Sequence, residues 1–252
     1  MCFDYPTLTL LSAIWAMLAV LAFAMSFKVR DITGRIGGAG RGKHIDARWG
    51  WFWMELPALV TFPSVYFASG NLHLVGNIAV ALWLAHYGHR TLVWPLVVLR
   101  PGATIPSGMW MSGGAFNVTN GALLGSYLAF APQLGDAWLS DPRFLAGVVL
   151  MIGGAWLNLW SDYRLLALRR RSGHQRVLPE GGAFNLSCCP NLLGEIIEWL
   201  GFALLTWCLP ALAFALWSIA NLVPRALWRR SWYHTNFPDF PRTRAALIPG
   251  LL

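Results

Sequence analysis

From Leu8 to Phe27 the chain runs twenty residues without a charge. At 1.5 Å per residue in a helix this run spans about 30 Å, the thickness of a bilayer's hydrocarbon core. No other feature constrains the fold as much. Backbone polar groups in hydrocarbon must be satisfied inside the segment, and a helix does that. The length of the run, and the absence of basic residues ahead of it, read as a span rather than a cleaved signal peptide. Composition extends the reading: 56% of the 252 residues are apolar and 12% are charged, against about 45–50% and about 25% in soluble domains. The expected fold class is all-α, a polytopic membrane protein.

Seven spans can be drawn, at residues 8–27, 50–68, 72–88, 112–131, 144–168, 191–208 and 210–228. The basic residues sort onto alternate connections. Lys28, Arg30, Arg35, Arg41, Lys43 and Arg48 lie between the first two spans, and Arg90 and Arg100 follow the third. Arg164, Arg169, Arg170, Arg171 and Arg176 close the fifth, and Arg225, Arg229, Arg230, Arg242 and Arg244 form the tail. Of nineteen, only Arg143 falls on the other side. The positive-inside rule then places the N-terminus outside and the C-terminus in the cytoplasm. The net charge of +8 is thus one-sided. Insertion topology and attraction to anionic lipid account for most of it, and a cytoplasmic anionic ligand is the sharper alternative. Residues 1–252 read as one domain, with no linker or internal repeat. No nucleic-acid partner and no obligate protein partner is expected.

Several local patterns carry less. Cys2, Cys188, Cys189 and Cys208 have no C-x-x-C spacing, and the vicinal pair falls on the side where thiols stay reduced. Asn117-Val118-Thr119 and Asn185-Leu186-Ser187 match the glycosylation sequon but lie at cytoplasmic ends, so both are expected to be unmodified. Gly34–Lys43 (GRIGGAGRGK) lacks the G-x-G-x-x-G spacing and follows a span instead of a strand. It reads as a flexible basic loop able to touch phosphate, not as a Rossmann turn.

Ionisable residues inside the spans point to chemistry, because an uncompensated charge in lipid is costly. Glu55 lies fifteen residues before Gly70 and Tyr87 seventeen after it. On antiparallel helices both then sit roughly 22–26 Å from the external turn, side by side near the cytoplasmic boundary. A bland alternative is backbone satisfaction where Pro57 breaks the helix. Asn158 and Asp162 share a face at i,i+4, with Arg169 three turns on, and Asn191, Glu195 and Glu198 form a second stripe. Two stripes of amides and carboxylates ending in arginines suit a ligand with hydroxyls, amides and phosphates. A network that only ties helices together is the alternative. No metal is expected, since the Glu pair has no Glu-x-x-His partner and no His lies in that span. Trp53, Phe116 and Trp199 are the candidates to wall an apolar pocket.

These stretches together resemble the steroid 5α-reductase family. The resemblance is carried by Glu55-Leu56-Pro57, His86-Tyr87 with His89-Arg90-Thr91, Asn158 with Ser161-Asp162-Tyr163, and Leu168-Arg169. It continues through Pro179, Gly181-Gly182, Asn191 to Gly201, Arg225, Tyr233, Pro241, Arg244 and Ala246-Leu247-Ile248-Pro249. The pieces stand in the family's order over nearly the whole chain, and the chain is expected to end where the family's chains end. A bacterial-type member is the expectation. The chain departs from the family at Met54, where a glutamine is common, at Arg176-Val177, where a Tyr-Arg pair is expected, and at Arg229, where histidine is common.

The resemblance implies a seven-helix membrane enzyme that reduces 3-oxo-Δ4 steroids with NADPH bound among the cytoplasmic halves of the helices. It implies that Glu55 and Tyr87 meet the 3-keto oxygen. It implies that Asn158, Asp162, Arg169, Asn191, Glu195, Glu198, Arg225, Tyr233 and Arg244 line the cofactor site, with Glu195 and Glu198 toward nicotinamide and ribose. A lipophilic substrate would enter from membrane lipid, in a bacterial inner membrane or the endoplasmic reticulum. Alternatives are a reductase of another conjugated lipid (an enoyl thioester or polyprenal), an isoprenylcysteine-type methyltransferase using S-adenosylmethionine, and a transporter or receptor.

Overall fold

Prolines and polar caps mark where the helices begin. A computed structural model describes residues 5–27, 43–131, 134–173 and 177–251. The basic loop expected at 34–43 lies outside the described residues except for Lys43, as do Cys2, Lys28, Arg30 and Arg176. Eight α-helices are described: α1 Tyr5–Ser26, α2 Ala47–Ala68, α3 Leu74–Gly88, α4 Trp94–Val98, α5 Ser107–Ala129, α6 Pro142–Arg171, α7 Pro190–Thr206 and α8 Leu209–Asn236. Pro142, Pro190 and Pro210 stand in the first turns of α6, α7 and α8, where a missing N–H costs nothing. Asp46 caps α2 by accepting from the N–H groups of Arg48 and Trp49, His73 Nδ1 caps α3 at Gly76, and Asp141 caps α6 at Arg143.

Each stretch drawn as a span lies on a helix and overruns it by at most two residues. Three of the helices, α1, α6 and α8, are long and apolar enough to cross a membrane. The connections expected on the cytoplasmic side include ordered pieces that their loop-like composition does not suggest. His44–Asp46 (β1) pairs antiparallel with Thr104–Pro106 (β2), His44 opposite Pro106. The ribbon ties the start of α2 to the start of α5. A π-helical turn, His89–Val93, joins α3 to α4.

Two helix pairs approach almost backbone to backbone. On α6 and α7 the contact runs along Gly147 and Gly154 against Gly201 and Gly194, each pair seven residues apart. A Cβ on Gly194 would come within 2.5 Å of Asn158 N, so only glycine fits there. α2 and α5 meet along Gly121 and Gly125, where an added Cβ would lie 2.9 Å from Phe62 N and Phe62 O respectively. The main core gathers around Trp83, whose ring packs with Phe62, Tyr87, Trp199, Phe202 and Phe214. Its Nε1 donates to Ala58 O at 2.8 Å, so the buried indole leaves no orphaned donor.

A second, smaller core covers the start of α7. Cys188, Cys189, Tyr233, Phe240, Ala246 and Leu247 are buried together there. The C-terminal segment reaches it by a parallel bridge between Ser187 and Ala245, with Cys188 N donating to Ala245 O at 2.8 Å. Burial pushes the Cys188 thiol up to about 11 and the Cys189 thiol up to about 12. Both thiols are therefore protonated at neutral pH, which fits a packing role.

Candidate active site

The acid expected in α2 sits where that helix is opened by proline. Pro57 has no N–H to give to Trp53 O, and neighbouring carbonyls are served by side chains from other helices. Asn117 Nδ2 on α5 donates to Met54 O at 2.8 Å and lies 3.4 Å from Glu55 Oε2. Glu55 is 8% exposed. On its other side Arg90 Nε stands 3.9 Å from Oε1. Arg90 in turn reaches Glu195 Oε2 on α7 at 3.8 Å. One guanidinium therefore links the acids of two helices.

Arg90 owes its place to the π-helical turn, which widens the backbone where α3 ends and turns the residue inward. Its guanidinium lies 5.0 Å from the Trp51 ring and 4.9 Å from the Trp94 ring, held between two aromatic faces. Burial works against its charge, and nearby acids, Glu195 foremost, more than offset that and raise its pKa above the ordinary value.

Tyr87 is buried among Trp83, His86 and Trp199. Among the described residues no hydrogen bond engages its hydroxyl, so its O–H is available to a ligand. Beside it, His86 Nδ1 meets Glu198 Oε1 at 2.7 Å. Glu198 is 1% exposed, and its second oxygen has no partner among the described residues.

The two polar stripes meet. Asn191 Nδ2 donates to Asp162 Oδ1 at 2.9 Å, Trp94 Nε1 donates to Asp162 Oδ2 at 3.1 Å, and Asn158 Nδ2 donates to Asn191 O at 2.9 Å. The α6–α7 glycine contact is what brings them within reach. Ser161 Oγ, buried next to Asp162, is without a partner among the described residues.

The remaining expected positions are spread wider. Arg169 and Arg225 are half-buried on α6 and α8, and the Arg229 charge bears on both Arg169 and Tyr233. Tyr233 is buried against Phe237 and Phe240. Arg244 ties the tail to the loop before α7, its NH1 donating to Pro179 O at 2.9 Å, while its buried Nε has no partner among the described residues. Of the three pocket-wall candidates, Trp199 is buried beside Tyr87. Phe116 packs with Trp15, Phe214 and Trp217. Trp53 points away from the cluster and is 51% exposed. Its neighbour Trp51, two positions earlier and so on a different face of the helix, is the indole that reaches the site.

Residues to which the sequence gave no site role therefore complete the cluster: Arg90, His86, Asn117, Trp51 and Trp94. Asn117 had a visible signal. Gly113, Asn117, Gly121 and Gly125 recur every fourth residue, the spacing of a close helix contact, with one amide set among glycines. Among the described residues no group of His, Cys, Asp and Glu is arranged to hold a metal ion.

Comparison with known proteins gives this arrangement a context. Residues 103–252 match the family model described as 3-oxo-5-alpha-steroid 4-dehydrogenase. The chain is 40% identical over 224 residues to 3-oxo-5-alpha-steroid 4-dehydrogenase 2 of Homo sapiens, covering 84% of this chain and 87% of that one. It is 34% identical over 238 residues to 3-oxo-5-alpha-steroid 4-dehydrogenase 1 of Mus musculus, 93% of each. It is 32% identical to the type 1 enzyme of Rattus norvegicus over 255 residues, 99% and 98% of the two chains. These relatives are mammalian and lend no support to a bacterial-type member. The chain is a membrane protein of the 3-oxo-5-alpha-steroid 4-dehydrogenase family, oxidoreductases that act on CH–CH bonds.

Proposed function

We propose that this chain reduces the 4,5 double bond of 3-oxo-Δ4 steroids to 5α-reduced 3-ketosteroids, with NADPH as the reductant. The observation that carries the reading is that α2 and the end of α3 bring a buried acid, Glu55, a buried phenol, Tyr87, and a half-buried cation, Arg90, into an apolar bundle, with Arg90 3.9 Å from Glu55. In the bilayer we place seven spans, with the N-terminus outside and the C-terminus in the cytoplasm, as one domain. The membrane is the endoplasmic reticulum in a eukaryotic cell or the inner membrane in a bacterium.

The residues present fit NADPH. Three residues of or beside the expected cofactor site, Glu198, Ser161 and Arg244, keep a buried polar atom (Oε2, Oγ and Nε) without a protein partner among the described residues. Buried groups of this kind are normally satisfied by something. Asn158, Asp162, Asn191, Glu195 and Glu198 would hold the nicotinamide and ribose portions, and Arg169, Arg225, Tyr233 and Arg244 the phosphates. The chemistry asked of the cofactor is a hydride for C5 of the enone.

As C5 is reduced, negative charge grows on the 3-keto oxygen as an enolate. Tyr87 donates its hydroxyl to that oxygen. Glu55 donates beside it in its protonated form. Donors aimed at an oxygen that gains charge stabilise the transition state more than the ground state, by about 3–4 kcal/mol for a well-placed one. A proton from solvent completes C4. Phe116 and Trp199 supply apolar walls for a steroid entering from the lipid.

The test is turnover by the purified protein of a 4-ene-3-ketosteroid such as testosterone with NADPH, with product stereochemistry read by mass spectrometry and NMR. A 5α product with stoichiometric NADPH oxidation is the expected result. Reduction of only an enoyl thioester or polyprenal, or consumption of S-adenosylmethionine, would assign a different reaction.

A further inference from the structure

We propose that Asn117 is a positioning residue that decides which oxygen of Glu55 carries the acidic proton, and so which oxygen faces the substrate carbonyl. The inference rests on Glu55 acting as a donor in the reduction above.

α5 seats on α2 along Gly113, Asn117, Gly121 and Gly125. The approach is close enough that Asn117, one turn before Gly121, is 6% exposed and touches the α2 backbone. The Met54 side chain packs against Gly113 and offers no polar group to its neighbour Glu55. The amide comes instead from the facing helix.

An asparagine nitrogen carries two N–H groups fixed in one plane. Here Nδ2 is anchored on Met54 O at 2.8 Å, so the amide cannot turn, and its remaining donor capacity goes to Glu55 Oε2 at 3.4 Å. In a protonated carboxyl, the oxygen that accepts an N–H is the carbonyl oxygen. The O–H therefore resides on Oε1. Oε1 faces Arg90 at 3.9 Å, outside hydrogen-bond reach, and the Arg90 charge is also met by Glu195 at 3.8 Å. The proton on Oε1 is left to point outward at a ligand. Asn117 itself makes and breaks no bond.

The experiment uses the purified full chain with testosterone and NADPH. Asn117→Asp has nearly the same volume and no N–H, and Asn117→Ala removes the group. Both should lower kcat roughly ten- to a hundred-fold, the size of effect expected when a reacting group is mis-aimed. KM for testosterone and Kd for NADPH should change far less. In a Glu55→Gln background, where no acidic proton needs placing, Asn117→Asp should cost nothing further. Infrared difference spectra give a reading independent of turnover: losing the N–H should shift the carbonyl stretch of protonated Glu55 to higher frequency. Wild-type kcat in Asn117→Asp, or an equal loss in both backgrounds, overturns the role of Asn117 alone. A wild-type protein that binds NADPH but reduces no steroid overturns the functional reading as well. If Asn117→Ala does not fold, the volume-conserving Asn117→Asp still decides.

Discussion

His86 Nδ1 and Glu198 Oε1 lie 2.7 Å apart, so the second acid of the α7 stripe is committed to α3. The contact pins α3 to α7 beside the Tyr87 hydroxyl and leaves Glu195, one turn earlier, as the acid of the pair that reaches Arg90.

Removing the Glu198 carboxyl should be a stability lesion first. Glu198→Ala leaves a buried imidazole nitrogen unpaired, a cost of about 1–3 kcal/mol. Glu198→Gln retains an acceptor and should lose less. Thermal unfolding in detergent checks the order; equal melting temperatures for wild type and both variants would refute the pairing.

Glu55 should divide along a different line. Glu55→Gln keeps a donor, whereas Glu55→Ala removes it and should lower kcat by about 10²–10³-fold. Steady-state kinetics with testosterone read this directly. Wild-type rates in both variants would remove Glu55 from the mechanism.

Glu195→Ala should weaken NADPH binding about ten-fold or more, as for a lost hydrogen bond to a charged group, with a smaller effect on steroid KM. Fluorescence titration of NADPH alongside kinetics separates the two. The reverse pattern would move Glu195 to the substrate side.

The two tryptophans two positions apart on α2 should behave oppositely. Trp51→Leu strips one aromatic face from Arg90 and should cost about 0.5–2 kcal/mol, or roughly two- to thirty-fold in kcat/KM. Trp53→Leu, at an outward and half-exposed position, should leave kcat/KM near wild type. A Trp53 effect larger than that of Trp51 would contradict the geometry.

The buried thiols set a limit at high pH. With Cys188 at about 11 and Cys189 at about 12 in the folded chain, against an ordinary value near 9, the folded state holds more protons than the unfolded one above that point. Stability from these thiols is therefore intact below about pH 9 and declines as pH rises toward the folded values. Maleimide labelling at pH 7.5 should be slow at both cysteines until the protein is unfolded. Rapid labelling of the native chain would show that the C-terminal segment does not cover them.

Much of the helical order was legible because the length of the apolar runs reports it directly. The polar stripes were legible too: Asn191, Glu195 and Glu198 share a face by spacing alone, and each finds a partner on another helix. What spacing could not give was the partner. That Arg90 would turn inward depends on a π-helical turn, which has no compositional signature at His89–Val93. Trp51 and Trp53 look alike in a tryptophan-rich string, and only the rotation of α2 against α3 tells them apart. Asn117 read first as a glycosylation sequon, because its use depends on a facing helix whose Glu55 lies 62 residues earlier in the chain, beyond the reach of any local pattern.

The glycine contact between α6 and α7 has a consequence for how this site can change over time. Side chains facing the ligand can be exchanged one at a time, each altering its own contact. A methyl group at Gly194 would instead push on the backbone of Asn158, moving that amide, the Asn191 carbonyl it engages and the Asp162 that Asn191 engages together. The spacing of this polar face is thus set by four absent side chains, and variation there is inherited by the whole cluster at once.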